Sequence, residues 1–342
     1  MKKYLAHICG HFQPIGYEEL YAVLEAENVT YKVVEVNSQT VIFETDDNPI
    51  IAVSRCAFVH SLLELTDVGE IDDYKIIFQH SYEISKLKTG STFCSRVTRI
   101  GKKKTKIKSV DLERDLGNHI YKKFEENKLE VDLRSPDYTF RTILIRNRFF
   151  LGLEIWTIDR KKYSIREPGK RDFFRPGAMR TDYARALVNL SRIRRGEIFF
   201  DPFCGGGGFL LEASYLGAYA IGTDLDPYAV KGSVRNMKQF KRSNYEVLQG
   251  DSRNIPIKFF HAAATDPPYS LQSSTHGEKV SKLTYDFLTE SKEYLMKNRH
   301  LVYCTPSTLE PEAIVEKTDY QIVTLIDTFI HKSLTRRILV LK

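Results

Sequence analysis

The sequence predicts an α/β protein whose C-terminal half forms a parallel sheet and whose N-terminal half forms smaller α+β domains. From Gly177 onward, short apolar strands alternate regularly with helical stretches, the order that builds a parallel sheet covered by helices. Before Gly177, short strands and helices follow each other in an order that is typical of small α+β domains. The chain of 342 residues is also longer than one average domain, so we expect two or three domains.

The composition predicts a soluble, cytoplasmic protein that does not enter a membrane. No apolar run approaches the roughly 18 residues of a membrane-spanning helix, and the opening MKKYLAHICGHF lacks the apolar core of a signal peptide. The five cysteines contain no CxxC pair, which suits a reducing compartment.

Residues 1–75 carry the pattern of a small ferredoxin-like α+β domain. The strand YLAHIC is followed by the helical YEELYAVLEAE and by the strands YKVVEV and TVIFET. Alternation would place His7, Cys9 and His11 on one face of the first strand. A zinc site usually needs a fourth ligand or a water, so a half-buried strand is the favoured interpretation and we predict no metal site.

Residues 76–158 combine a helix, several strands and a basic segment. Leu112, Leu116, Ile120 and Phe124 recur every four residues, which predicts a helix with one apolar face. The segment RVTRIGKKKTKIK contains no acid, and a second basic run follows at 160–175. Each run alone is typical of a solvated surface. Two such runs favour a polyanionic partner, and nucleic acid in particular.

The passages TFCSRVTRIGKKKTKIKSVDLERDLGNHI and FFLGLEIW resemble the THUMP domain, an RNA-binding module. In that family the module binds the acceptor end of tRNA. The resemblance implies that the basic segment is the RNA-binding surface, with Arg96, Arg99, Lys102, Lys103, Lys104 and Lys106 as its candidate residues. The charged stretch 159–176, with two prolines and a glycine, predicts a linker to the last domain at 177–342.

The first candidate site element in residues 177–342 is a glycine turn. Asp201 ends the strand EIFF and is followed by Pro202, Phe203, Cys204 and four glycines at 205–208. Glycines there allow a ligand to approach the backbone and leave helix N–H groups available. The turn matches neither GxGxxG nor GxxxxGK[ST], so it is weak evidence alone.

Two further acids follow at later strand ends. Asp224 stands about twenty residues after the turn, where a carboxylate accepts hydrogen bonds from ribose hydroxyls, and Asp226 is the less favoured partner. Asp251, followed by Ser252, would stand beside an adenine ring. A glycine turn, an acidic residue beside the ribose and another beside the adenine together predict a site for a nucleoside-containing ligand, with no phosphate-binding loop. S-adenosylmethionine fits that description.

The segment TDPPY follows the next strand. Asp266 precedes Pro267 and Pro268, and two prolines force the chain out of a sheet with carbonyls unpaired. DPFCGGGGFLLEA and TDPPY resemble the cofactor loop and catalytic motif of the amino-methyltransferases. The resemblance implies that Asp266 and the Pro267 carbonyl accept the two N–H bonds of a base amine and that Tyr269 stacks on an extruded base. The alternative is a simple turn with a rim aromatic.

The segment FFRPGAMRTDYARALVNLS resembles the part of THUMP-bearing methyltransferases that packs beside the methionine end of the cofactor. The final HKSLTRRILVLK is similar to the antiparallel last strand of that class I Rossmann-like fold. The cofactor-binding residues that we expect are Phe174, Arg175, Pro176, Asp201, Pro202, Phe203, Gly205, Gly207, Asp224, Asp251, Ser252 and Asp266.

Motif and order together resemble the archaeal and eukaryotic tRNA guanosine N2-methyltransferases that act at position ten. Those enzymes carry DPPY after a THUMP module, whereas relatives acting on other guanines tend to carry NPPY or NPPF. The resemblance leaves open a small activating subunit, so we expect a monomer or a complex with that subunit. Two alternatives remain: an amino-methyltransferase of DNA or another RNA, and a non-catalytic tRNA-binding protein.

Overall fold

Two separate sheets organise the protein. The computed structural model describes residues 1–74, 87–101, 107–268, 280–331 and 334–342. Within these ranges the chain divides into two units. Unit 1 comprises Met1–Gln13, Val29–Ser54 and Val59–Ile158, and unit 2 comprises Pro14–Asn28, Arg55–Phe58 and Asp159–Lys342.

Unit 1 contains an eight-stranded sheet. Its strands are β1 (Lys2–Ile8), β2 (Lys32–Asn37), β3 (Thr40–Thr45), β4 (Val59–Glu70), β5 (Thr92–Ile100), β6 (Glu130–Val131), β7 (Tyr138–Ile145) and β8 (Arg148–Thr157). They are ordered β2-β3-β1-β4-β8-β7-β5-β6. β5 is parallel to β6 and β7, and the other neighbours are antiparallel.

The helix Ser109–Lys123 packs on this sheet through the face that the sequence predicts. Leu112, Leu116 and Ile120 are buried with Phe93 and Phe140 of the sheet. A short helix, Ile50–Val53, lies between β3 and β4. Because β4 pairs with β8, strands from the predicted ranges 1–75 and 76–158 share one sheet. The domain boundaries at residues 75, 158 and 176 stay predictions.

Unit 2 contains a seven-stranded sheet, and the predicted parallel sheet is confirmed. Its strands are β9 (Ile198–Asp201), β10 (Tyr219–Asp224), β11 (Tyr245–Gln249), β12 (Phe260–Thr265), β13 (Leu295–Pro306), β14 (Ile322–His331) and β15 (Leu334–Leu341). The order is β11-β10-β9-β12-β13-β15-β14. β9 to β13 are parallel, and β15 runs antiparallel between β13 and β14.

Helices accompany the sheet of unit 2. They are Gln13–Ala26 (which unit 2 takes from Pro14 onward), Lys161–Ser164, Thr181–Leu190, Gly208–Tyr215, Pro227–Gln239, Val280–Tyr294 and Pro311–Val315. The core beneath them includes Phe200, Phe260, Phe287 and Tyr303. The ends of the parallel strands are thereby fixed in space, and loops that follow them meet at one edge of the sheet.

The stretch 159–176, predicted as a linker, is packed into unit 2. Arg166 is 4% exposed and its guanidinium donates to Glu212 at 2.8 and 3.0 Å. Arg171 and Phe173 are also buried. The prolines and glycine that suggest a linker lie in a turning segment, in which Arg166 is buried against Glu212 and Arg171 against the Arg166 carbonyl and the Thr181 hydroxyl.

Candidate active site

A cavity of about 340 Å³ lies at the carboxyl ends of the parallel strands of unit 2. Ten of the predicted cofactor residues line it: Phe174, Arg175, Pro176, Pro202, Phe203, Gly205, Asp224, Asp251, Ser252 and Asp266. Its other lining residues include Arg171, Phe173, Met179, Phe209, Leu225, Pro268 and Leu283. The four loops that follow β9 to β12 therefore converge on one space, as parallel α/β sheets arrange their ligand sites.

The glycine turn forms one wall of the cavity. Gly205 and Gly207 have φ angles of 50° and 74°, a region that residues with a Cβ adopt rarely. A Cβ on Gly207 would lie 2.3 Å from the Ser233 hydroxyl oxygen. Gly207 does not itself line the cavity in the described structure. Its role is to let the chain turn tightly into the helix Gly208–Tyr215.

Asp224 connects this turn to the next strand. Its Oδ2 accepts a hydrogen bond from the Gly205 N–H at 2.8 Å, and its Oδ1 accepts one from the Asp226 N–H at 3.0 Å. Asp226 instead caps the helix Pro227–Gln239 by accepting from the Tyr228 N–H at 2.8 Å. Asp224 therefore presents its carboxylate beside the cavity, and Asp226 serves the helix.

Asp201 lies behind the cavity wall. It is fully buried, and its Oδ1 accepts from the Thr265 hydroxyl at 2.8 Å and from the Phe203 N–H at 3.2 Å. Its Oδ2 makes no hydrogen bond to any described residue. Burial raises the pKa of Asp201 to about 7. This carboxyl group joins the end of β9 to the end of β12 and thereby holds two cavity loops together.

Asp266 reaches the cavity from the end of β12. Its side chain is 17% exposed, and its Oδ2 accepts from Nη2 of Arg336 at 2.8 Å. Pro268 also lines the cavity, whereas Pro267 does not among the described residues. Tyr269 lies outside the described residues. The structure therefore places the predicted catalytic acid within the same cavity as the glycine turn and Asp224.

The opposite walls carry mixed charge. Arg253 donates to Asp251 at 2.6 Å, and Ser252 beside them is 3% exposed. Arg175 forms an ion pair with Asp226, and its guanidinium lies 5.8 Å from the Phe173 ring centroid. Paired in this way, the side chains at these walls are fixed in orientation.

Three residues near the cavity were missed by sequence reasoning. Arg171 lines the cavity, is 8% exposed, and donates to the Arg166 carbonyl oxygen at 2.8 Å and to the Thr181 hydroxyl at 3.3 Å. Phe173 lies against Gly232, where a Cβ would approach its ring to 2.2 Å. Arg336 contacts Asp266 from a distant part of the chain. For Arg171 and Phe173 the only local signal of a binding role was the presence of basic residues on both sides of the two phenylalanines in KRDFFRPG.

The predicted RNA-binding residues of unit 1 are only partly described. Arg96 Nη2 donates to the Leu133 carbonyl oxygen at 2.6 Å, and Arg99 Nε donates to the Ser109 hydroxyl at 2.8 Å. Lys102, Lys103, Lys104 and Lys106 lie outside the described residues. Arg96 therefore connects the middle of β5 to the segment after β6, and Arg99 connects the end of β5 to the start of the helix Ser109–Lys123.

The alternation of His7, Cys9 and His11 does not continue along one strand. β1 ends at Ile8, and a 3-10 turn spans Gly10–Phe12. His7 instead lies near His60, with ring centroids 5.0 Å apart. No group of three or more potential metal ligands occurs among the residues that the structure describes. Across the same ranges, no helix has both the length and the apolar character needed to cross a membrane.

Two family models match separate parts of the chain. A model of the RMKL-like methyltransferase domain matches residues 168–338, which is half of the chain, and the THUMP domain model matches residues 77–154. The crystal structure of TrmN from Thermus thermophilus covers 99% of each chain with a TM-score of 0.54 and 18% identity. That identity supports a shared fold.

Two archaeal relatives match almost the whole length. The tRNA (guanine(10)-N2)-dimethyltransferase of Methanothermobacter thermautotrophicus is 32% identical over 330 residues, covering 95% of this chain and 94% of the relative. The enzyme of the same name from Methanocaldococcus jannaschii is 29% identical over 360 residues, covering 97% of each. This chain therefore belongs to the family of THUMP-bearing tRNA (guanine(10)-N2)-methyltransferases.

Proposed function

We propose that this protein transfers a methyl group from S-adenosylmethionine to the exocyclic N2 of guanosine 10 in tRNA. One observation carries the chemical part of the proposal: Asp266 lines the same cavity as the glycine turn and Asp224. Family membership supplies the substrate, because both archaeal relatives are named for this guanine.

The residues of the cavity fit the cofactor. S-adenosylmethionine, when bound, supplies a methyl group activated by a positively charged sulfur. We assign Asp224 to the ribose hydroxyls, and Asp251 and Ser252 to the adenine. Arg171, whose guanidinium borders the N-terminus of the helix Gly208–Tyr215, is assigned to the carboxylate of the methionine part. Phe174, Arg175 and Pro176 close that end.

Asp266 and the Pro267 carbonyl are assigned to the target amine. The lone pair of an exocyclic amine is delocalised into the base, which makes the nitrogen a poor nucleophile. Two acceptors for its N–H bonds draw the nitrogen toward a tetrahedral geometry and aim the lone pair at the methyl group. As the nitrogen gains the methyl group it loses one proton, and Asp266 is the carboxylate placed to take it. Tyr269 would stack on the base.

We assign RNA binding to the predicted THUMP range 76–158 and catalysis to 177–342. The basic segment at 96–108 has seven lysines and arginines and no acid. Such a segment attracts phosphates without reading the base sequence. If the module binds the acceptor end of the tRNA, the enzyme would select the target guanine by its distance from that end.

The proposal is tested with the purified chain, labelled S-adenosylmethionine and an unmodified tRNA transcript. Nucleosides are digested and identified by mass spectrometry. We expect N2-methylated guanosine at position ten, and no product when that guanosine is replaced. The ratio of monomethylated to dimethylated product shows how many methyl groups are added.

The same assay and a melting-temperature measurement separate the alternatives. Methylation of DNA or of another RNA, without tRNA product, would support a different amino-methyltransferase. Cofactor that fails to raise the melting temperature would favour a non-catalytic tRNA-binding protein, because a ligand stabilises only the fold that binds it. Product from the chain alone would show that a small activating subunit is not required.

A further inference from the structure

Arg336 is a buried cation in contact with the proposed catalytic acid. It lies on β15, the inner strand between β13 and β14, and its side chain is 9% exposed. Nη2 of Arg336 donates to Oδ2 of Asp266 at 2.8 Å. The guanidinium carbon also lies 5.9 Å from the centre of the Tyr183 ring. The two charged residues are 70 positions apart in the sequence.

We propose that Arg336 is a positioning residue that keeps the Asp266 carboxylate ionised and oriented toward the target amine. This inference rests on the proposed function, because it assigns Arg336 a role only through Asp266. A charged hydrogen bond from a guanidinium fixes a carboxylate more firmly than a neutral donor does. Arg336 lies within β15 and Asp266 directly follows β12, and strands hold a site more accurately than loops do.

The surroundings of Asp266 explain why a cation is needed. The described groups that interact electrostatically with it include Asp201 at the end of β9, Tyr183 of the helix Thr181–Leu190, Tyr303 and Cys304 of β13, and Arg336 of β15. Among these described groups Arg336 supplies the positive charge, while Asp201 is a second acid. A protonated Asp266 would donate a hydrogen bond where the amine requires an acceptor. Arg336 opposes that protonation.

Arg337 provides a matched control on the same strand. Its guanidinium donates to Asp327 at 2.8 and 3.0 Å and to Glu312 at 3.2 Å. Neither acid lines the cavity. Arg337→Met therefore removes a cation and its ion pairs from β15 while the hydrogen bond to Asp266 stays in place.

The test compares Arg336→Met, Arg336→Lys and Arg337→Met in the full chain. We expect Arg336→Met to lower the single-turnover methylation rate by about 100-fold, the scale of a misplaced reacting group. The acidic limb of its rate profile, measured between roughly pH 5 and 9, should move to higher pH. Affinities for S-adenosylmethionine and tRNA should stay near the wild-type values. Arg336→Lys should recover part of the rate, and Arg337→Met should match wild type.

A double-mutant cycle shows whether Arg336 acts through Asp266. In an Asp266→Asn background, Arg336→Met should cause no further loss, because the carboxylate that it serves is gone. Additive losses, an unshifted pH profile, or equal losses in Arg336→Met and Arg337→Met would overturn the inference. If Arg336→Met does not fold, Arg336→Gln takes its place with the same expectations. An inactive wild-type protein would instead contradict the proposed function itself.

Discussion

The two units of the protein place their charged side chains in opposite environments. Unit 2 buries nine: Glu19, Arg55, Arg166, Arg171, Asp182, Arg185, Asp201, Glu212 and Arg336. Among the described residues of unit 1, no charged residue is as buried as these nine, although the Glu154 side chain, paired with Arg141, is only 9% exposed. Buried charges must be paired and thereby fix geometry, whereas hydrated charges remain able to meet a polyanion. The contrast agrees with the proposed assignment of catalysis to unit 2 and of RNA binding to unit 1.

The largest expected effect follows from replacing Asp266, the proposed catalytic acid of the cavity. Asp266→Ala should lower methyl transfer by at least about 10³-fold, because it removes an acceptor aimed at the reacting nitrogen. The affinity for S-adenosylmethionine, measured by calorimetry, should change little. Asp327→Ala, which removes an acid paired with Arg337 outside the cavity, is the control. Wild-type turnover in Asp266→Ala would rule out the assigned role.

The second prediction compares an ion pair from each unit. Glu212 is fully buried and accepts from Arg166 and Arg185. Burial alone would raise the pKa of Glu212, but the two guanidinium groups outweigh it and the pKa is lowered. Glu212→Gln leaves two buried cations without a counter-charge and should cost about 3–5 kcal/mol of unfolding free energy. Denaturant unfolding followed by circular dichroism measures it.

Glu35→Gln in unit 1 is the matched substitution. Glu35 pairs with Arg148, and both side chains are about one-third exposed, at 30% and 37%. The hydrogen bond from Arg148 lowers the pKa of Glu35, yet pairs in water contribute only about 0.2–1 kcal/mol. Equal losses in Glu212→Gln and Glu35→Gln would contradict the contrast between the units.

The third prediction tests the basic segment at 96–108. Replacing Lys102, Lys103 and Lys104 with Gln should weaken tRNA binding and reduce its salt dependence by up to about 0.7 to 0.9 for each phosphate that the lysines no longer neutralise. Binding is measured by filter retention over a series of salt concentrations. Lys2→Gln, at an exposed ion pair with Glu64, is the control. An unchanged salt slope would identify the basic segment as an ordinary solvated surface.

The last prediction concerns the pH dependence of stability. Burial raises the pKa of Asp201 to about 7, so the folded state holds a proton that the unfolded chain has already released above about pH 4. The stabilising contribution of that proton is complete below about pH 4 and is lost as the pH rises to about 7. Wild-type stability should therefore fall with pH in this window more steeply than that of Asp201→Asn.

The difference in slope should be at most about 1.4 kcal/mol per pH unit. Denaturant unfolding at several pH values measures it. Asp327→Asn is the control, because the hydrogen bond from Arg337 lowers the pKa of Asp327 and takes it out of this window. Identical slopes in wild type and Asp201→Asn would show that Asp201 is ionised in the folded protein.

The sequence predicted best what is local. The glycine turn, Asp224 and Asp266 each sit at the end of one strand, and strand periodicity together with Gly or Pro identifies those ends. The helix carrying Leu112, Leu116 and Ile120 was likewise predicted from spacing alone. Each of these signals lies within about twenty residues, so residues close in sequence are sufficient to predict the feature.

The sequence predicted least what depends on distant pairing. Arg336 donates a hydrogen bond to Asp266, 70 positions away in the sequence, and Arg166 donates to Glu212, 46 positions away. No spacing rule connects such partners, since their proximity is created by the order of strands in the sheet. The His7, Cys9 and His11 pattern failed for a related reason, because the strand ends at Ile8 and the alternation stops there.

The position of β15 has a consequence for synthesis of the protein. Because β15 separates β14 from β13, β14 leaves the ribosome before the strand that must lie beside it. At about 5–20 residues per second, the ribosome adds Arg336 roughly 4–14 s after it adds Asp266. β13 ends at Pro306, so in the later part of that interval its edge is unpaired and exposed to other chains. The growing chain therefore passes through a period of aggregation risk just before its active site can be completed.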